Sequence, residues 1–178
     1  DEPHFLSGGL PDQATGILLA MAVLTAIIAR ERHGIGQEVD TSLLGAAVSM
    51  QVEVLIWLLT KQLFPRTSRV EPSNPIWNTY RCADGKWLVL TLGTYSDRYW
   101  PLFCKVVPEL AELADDPRYN SMESRHEHAK ELVSTLDNIF ISKTRDEWIH
   151  ILEQSDVSWE IVKEIRELEE DPQVIENR

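Results

Sequence analysis

Hydrophobic positions are unevenly placed along the chain. The stretch GILLAMAVLTAIIA at 16–29 is apolar on nearly every helical face, a pattern that implies burial on all sides. It predicts a first helix over 13–33, with Pro11 and Asp12 at its start, where a proline and an acidic cap are favoured. Arg30, Arg32 and His33 fall in the last turn, where positive charge suits the helix dipole, and Gly34 is suited to end it. After a short extended piece at 37–40, Thr41 or Ser42 caps a second apolar helix, LLGAAVSMQVEVLIWLLTKQLF, which Pro65 ends. Two such helices in succession need more apolar partners than the rest of the chain offers.

The pattern then changes. Residues 65–75 carry Pro65, Pro72 and Pro75 and keep no helical or strand period, so they read as a linker. The runs 77–82 and 86–92, joined through Asp84-Gly85, read as a β-hairpin. Gly93-Thr94-Tyr95 follows as a loop, and Ser96 or Asp97 caps a helix through Tyr99, Trp100, Phe103 and Val106. A turn at 115–119 precedes a helix over 122–140 with Leu132, Leu136, Ile139 and Phe140 on one side. Thr144-Arg145-Asp146-Glu147 forms a capping box for a helix through Trp148, Ile151 and Leu152. A strand at 157–162 and a short helix at 165–170, ended by Asp171-Pro172, complete a mixed, helix-rich α/β pattern.

Composition narrows the function classes. Lysine and arginine number 17 against 29 aspartates and glutamates, a net charge of −12. Phosphate neutralisation needs clustered cations, so a general nucleic-acid binder is excluded, as is docking on anionic membranes. The apolar run at 16–29 is shorter than the ~20 residues that span a bilayer, which favours a buried helix over a membrane segment. The acidic start DEPHFLSGGL lacks the basic region of a secretory signal, and two cysteines make no disulfide framework. A cytoplasmic protein is expected.

Few residues carry chemistry. Asp12 stands between a glycine-rich approach, Ser7-Gly8-Gly9, and the start of the first helix, where backbone N–H groups stabilise a carboxylate. It reads either as an N-cap or as a nucleophile that attacks a thioester or anhydride carbonyl, and position alone leaves both open. His126-Glu127-His128 has the wrong spacing for a helical metal pair, so no metal site is expected. Cys104, among aromatics, reads as buried and inert. Gly34-Ile35-Gly36 follows a helix rather than a strand, so it is a turn and not a dinucleotide loop.

Taken together, G-L-P-D-Q-A-T-G at 9–16, R-E-R-H-G-I-G-Q-E-V-D-T-S-L-L at 30–44, the D-G-K-W hairpin, R-Y-W-P-L-F-C, D-P-R-Y at 116–119 with R-x-x-H at 125–128, T-R-D-E-W at 144–148 and E-D-P-Q-V at 170–174 resemble the class III CoA-transferases. That family includes formyl-CoA, carnitine-CoA and benzylsuccinate CoA-transferases and the α-methylacyl-CoA racemases. The resemblance implies that Asp12 is the catalytic carboxylate, passing through an aspartyl mixed anhydride and an aspartyl-CoA thioester. Pro11 stands where family members often carry glycine, which stiffens the local backbone.

The resemblance further implies a chain about twice this length, with a doubly wound large domain, an inserted small α+β domain with a short antiparallel sheet, and two chains interlocked as a homodimer. On that template 1–64 belongs to the large domain, 65–75 is the linker, 76–158 the small domain and 159–178 the return connection, so this chain is a fragment. The expected substrates are acyl-CoA and a carboxylic acid, with coenzyme A as substrate rather than as a covalently bound cofactor. Gln13 is a candidate donor to the reacting oxygen, and Gly93, Thr94 and Tyr95 match a loop that covers the reacting centre. The alternatives are proton transfer at an α-carbon by a racemase of the same family, and a non-catalytic association module.

Overall fold

The computed structural model of the chain describes residues 9–61, 68–93 and 95–177. The chain divides into two compact units, Asp1–Pro65 and Arg66–Arg178.

In the first unit α1 spans Leu10–His33. It begins at Leu10 rather than Gln13 because Gly9 is the N-cap, in the left-handed region at φ 60°. At the other end Gly34 (φ 69°) donates its N–H to the Arg30 carbonyl at 2.8 Å, the expected glycine stop. The expected burial of this helix is not met, since no residue of α1 is buried. The reason is geometric: among the described residues its unit holds only two further elements, the short helices α2 (Leu43–Ser49) and α3 (Val52–Leu59), too little to enclose a 24-residue helix. Ala46 is the one buried position among the described residues of this unit. By length and composition α1 is apolar enough to cross a membrane, which the shorter run at 16–29 did not suggest.

The second apolar helix is two helices. Ser42 caps α2 as expected, its Oγ accepting the Gly45 N–H at 3.0 Å. The break falls at Met50-Gln51, where the Gln51 side chain takes the carbonyl that its own N–H would use in a continuous helix. Gln51 Nε2 donates to the Ala47 carbonyl at 3.2 Å, while Ser49 Oγ (2.8 Å) only shares the Ala46 carbonyl with the Met50 N–H (3.1 Å). The Gln51 backbone N–H turns instead to Val48, a tighter i−3 bond. The expected stretch up to Pro65 lies partly outside the described residues.

The second unit is built on an antiparallel sheet in the order β1-β2-β3, with β1 Thr79–Arg81, β2 Trp87–Leu90 and β3 Trp159–Val162. Tyr80 pairs with Leu88, and Leu88 with Ile161. The hairpin closes where Cys82 donates to the Lys86 carbonyl at 2.8 Å, with Gly85 at φ 81° supplying the left-handed turn residue. Because β3 pairs with β2, residues 159–162 belong to this unit's sheet. The described part of the expected linker belongs to it too: Asn74 is buried, and Arg69 grips both Asp137 oxygens at 2.9 and 2.6 Å.

Around the sheet lie α4 (Ser96–Val106), α5 (Met122–Glu127), α6 (Ala129–Phe140), α7 (Arg145–Leu152) and α8 (Pro172–Glu176). The single helix expected over 122–140 is interrupted at His128, whose Nδ1 bonds the Ser124 carbonyl at 2.9 Å. The Thr144 capping box forms as expected, with Thr144 Oγ1 and the Glu147 carboxylate exchanging bonds with each other's backbone N–H groups. Asp171 both follows a 3-10 turn at Ile165–Glu169 and caps the short α8. Tyr80, Leu88, Trp100, Phe103, Leu136, Phe140 and Trp148 form one closed core from the sheet, α4, α6 and α7.

Candidate active site

Asp12 lies in the first turn of α1, after Leu10 and Pro11. It is therefore not the N-cap, and the cap half of its expected reading gives way to Gly9. The first helical bond runs from the Gln13 N–H to the Gly9 carbonyl at 3.0 Å, so the Asp12 N–H precedes the bonded ladder and belongs to the positive end of the helix. Pro11 removes one donor from that end. The carboxylate folds back over Gly9: a Cβ placed there would meet Asp12 Oδ2 at 3.2 Å. Glycine at position 9 thus answers two demands, the left-handed φ and the close approach of the acid. Asp12 and Gln13 are both exposed.

In the second unit Gly93 and Tyr95 lie between β2 and α4, and Thr94 lies outside the described residues. The Gly93 N–H donates to the Thr91 carbonyl, and its own carbonyl accepts from Ser96, both at 3.0 Å. The Trp77 ring covers Gly93, its Cε3 lying 3.6 Å from where a Cβ would stand. Tyr95 is 72% exposed.

The N-cap of α4 is Tyr95, without a side-chain cap bond, rather than Ser96 or Asp97. Those two side chains are engaged elsewhere. Arg125, fully buried, donates from Nη2 to Ser96 Oγ at 3.0 Å and to Asp97 Oδ1, and from Nη1 to the Tyr119 carbonyl at 2.6 Å. Its guanidinium carbon lies 5.5 Å from the Trp100 ring centre. Burial pulls its pKa below the ordinary arginine value, with Asp97 opposing. The entry to the loop is held from the other side. Buried Asn74 donates from Nδ2 to the Leu92 carbonyl at 2.9 Å and accepts the Ile76 N–H at 3.1 Å.

Sequence reasoning assigned no role to Asn74 or Arg125. One signal was available for the second: Arg125, Ala129, Leu132 and Leu136 fall at helical spacing, and all four are buried, so Arg125 occupies a core-facing position. Cys104 is buried, and burial pushes its thiol up to about 12, as it pushes Cys82 up to about 11. Among the described residues no group of three or more His, Cys, Asp or Glu side chains is arranged to hold a metal. An open pocket of about 570 Å³ in the second unit, lined by Leu102, Lys105, Glu109, Lys143 and Ile151 among others, includes none of the expected site residues.

The CoA-transferase family III model matches residues 1–178. The chain belongs to CoA-transferase family III. It is 31% identical over 175 residues to the (R)-2-hydroxy-4-methylpentanoate CoA-transferase of Clostridioides difficile, a match that covers 98% of this chain and 43% of that protein. It is 36% identical over 148 residues to an acyl-CoA transferase of Fusarium pseudograminearum, covering 83% of this chain and 32% of the relative. The crystal structure of Rv3272 from Mycobacterium tuberculosis superposes with a TM-score of 0.79 at 27% identity, over 99% of this chain and 45% of that one. The chain thus spans less than half the length of each of these relatives. The fold agrees with the family expectation in being helix-rich with a short antiparallel three-stranded sheet.

Proposed function

We propose that a protein of the relatives' full length containing this chain moves coenzyme A between an acyl-CoA and a carboxylic acid, with Asp12 as nucleophile. An Asp12 oxygen attacks the thioester carbonyl, the C–S bond breaks, and CoA leaves as thiolate, giving an aspartyl mixed anhydride. The thiolate then attacks the aspartyl carbonyl, expelling the donor as its carboxylate and leaving an aspartyl-CoA thioester. The acceptor carboxylate attacks that thioester, and the freed thiolate takes the acceptor acyl group, restoring Asp12. No step changes an oxidation state or requires a metal.

The observation that carries this reading is the position of Asp12: exposed, in the first turn of a long helix, and not spent as a cap. The helix end supplies backbone donors for the oxyanion. Gln13 is a further donor in this reading. The uncovered faces of α1 to α3 are packed by the remainder of the large domain, in an interlocked homodimer in the cytoplasm. Incubation of the full-length protein with one acyl-CoA and a second carboxylic acid is expected to yield the second acid's CoA thioester. Deuterium incorporation at the α-carbon without exchange of CoA would overturn the transferase reading in favour of α-carbon proton transfer.

A further inference from the structure

Glycine inside a helix weakens it relative to alanine, so a glycine there calls for a reason. Among the described residues two glycines stand within helices, Gly16 in α1 and Gly45 in α2. At Gly45 a Cβ would lie 3.0 Å from Ser42 Oγ, the cap of α2, and that contact accounts for it. At Gly16 a Cβ would meet nothing within 4 Å among the described residues, and the backbone there has no left-handed φ. The reason for glycine at 16 therefore lies in something that approaches α1 from outside.

Gly16 stands four residues beyond Asp12, so the two share a face of α1. Helical side chains lean towards the N-terminus, so any side chain at 16 would cover the surface beside Asp12. That surface is bare. The carboxylate leans the other way, with Oδ2 over Gly9, and Thr15 turns its hydroxyl into the helix, donating to the Pro11 carbonyl at 2.6 Å. Asp12 and Gly16 are both exposed. The two sides of the carboxylate differ in chemistry. Towards Gly9 lie N–H groups that precede the bonded ladder, and these suit an oxyanion. Towards Gly16 the backbone N–H groups are consumed by the helix, so that side offers no polar partner and suits a hydrocarbon.

We infer that Gly16 is a specificity-determining residue: its missing side chain lets the acyl group of the thioester lie against α1 beside Asp12, and so admits donors branched at the α-carbon. This rests on the reading of Asp12 as nucleophile. The bonds are those of the first transfer step: an Asp12 oxygen bonds to the carbonyl carbon, the C–S bond breaks, and CoA leaves as thiolate.

The test uses the full-length protein and the variants Gly16→Ala and Gly16→Leu, with propionyl-CoA or 2-methylpropionyl-CoA as donor and acetate as acceptor. Gly16→Ala is expected to lower kcat/KM about tenfold more for the branched donor than for the straight one, the scale of one methylene in a close-fitting site. Its denaturation midpoint is expected to hold or rise, since alanine is the better helix former. A second readout needs no turnover. Carboxylates are labelled with a water-soluble carbodiimide and glycine ethyl ester, and the rate at Asp12 is referenced to exposed Asp40 by peptide mass spectrometry. Labelling of Asp12 relative to Asp40 is expected to fall several-fold in Gly16→Leu. Equal losses for both donors in Gly16→Ala, or unchanged labelling of Asp12 in Gly16→Leu, overturn the inference. A lowered midpoint in Gly16→Ala overturns it too, because the space over Gly16 then belongs to packing by another part of the protein. A wild-type protein that transfers CoA from neither donor overturns the functional reading instead, and the labelling rates still decide the approach over Gly16.

Discussion

In the second unit Tyr80, Phe103, Phe140 and Trp148 are wholly enclosed, whereas in the first Ile17, Met21, Leu24 and Leu58 stand more than half exposed. The two sets are equally apolar; what differs is the supply of partners. The second unit places a sheet against α4, α6 and α7, so each aromatic has neighbours on every side. Tyr80 stacks on Phe140 at 5.0 Å, and Phe140 meets Trp148 at 4.8 Å. Among its described residues the first unit holds, besides α1, only two short helices. Apolar periodicity therefore reports that a face requires burial, and says nothing about which part of the molecule provides it.

The largest expected effect sharpens this contrast directly. Phe140→Ala removes the ring at the centre of the second core and is expected to cost about 3–5 kcal/mol in chemical denaturation followed by tryptophan fluorescence. Ile17→Ala, on the uncovered α1, is expected to change the stability of this chain by no more than ~0.5 kcal/mol. Equal losses at the two positions would mean that α1 is covered in solution.

A smaller effect concerns how the second unit ties α7 to the segment after β3. Arg145 donates from Nη2 to Glu167 Oε1 and from Nη1 to Oε2, the latter at 3.3 Å, and this contact holds the Glu167 carboxyl down at about 2. An unfolded glutamate titrates near ~4.3. The contribution is therefore present above that value and is lost as pH falls through the folded value of about 2. Glu167→Gln is expected to destabilise the chain modestly at pH 7, with the difference from wild type closing between pH 4.5 and 2. A difference that holds constant over that range would contradict the pairing.

The local elements were legible where one residue fixes the backbone. Gly34 ends α1, Asp84-Gly85 turns the hairpin, and Thr144 with Glu147 opens α7. Boundaries failed where side chains compete with the main chain for carbonyls. Gln51 takes the Ala47 carbonyl where α2 gives way to α3, and at the α5–α6 break His128 Nδ1 shares the Ser124 carbonyl with its own N–H. Tertiary demand explains the cap of α4, where Ser96 and Asp97 are drawn to Arg125, a residue far along the chain that no local rule connects to them. For the candidate site, the sequence located Asp12 at a helix start but not its orientation over Gly9, which depends on a left-handed residue three positions earlier.

The central claim is that Asp12 bonds covalently to the transferred group, and trapping tests it most directly. The full-length protein is incubated with a donor acyl-CoA, quenched with hydroxylamine, digested, and analysed by tandem mass spectrometry. The account predicts a hydroxamate on the side chain of Asp12, dependent on the donor and absent from an Asp12→Ala protein that remains folded. A hydroxamate on a different carboxylate, or transfer that persists in Asp12→Ala, would contradict it.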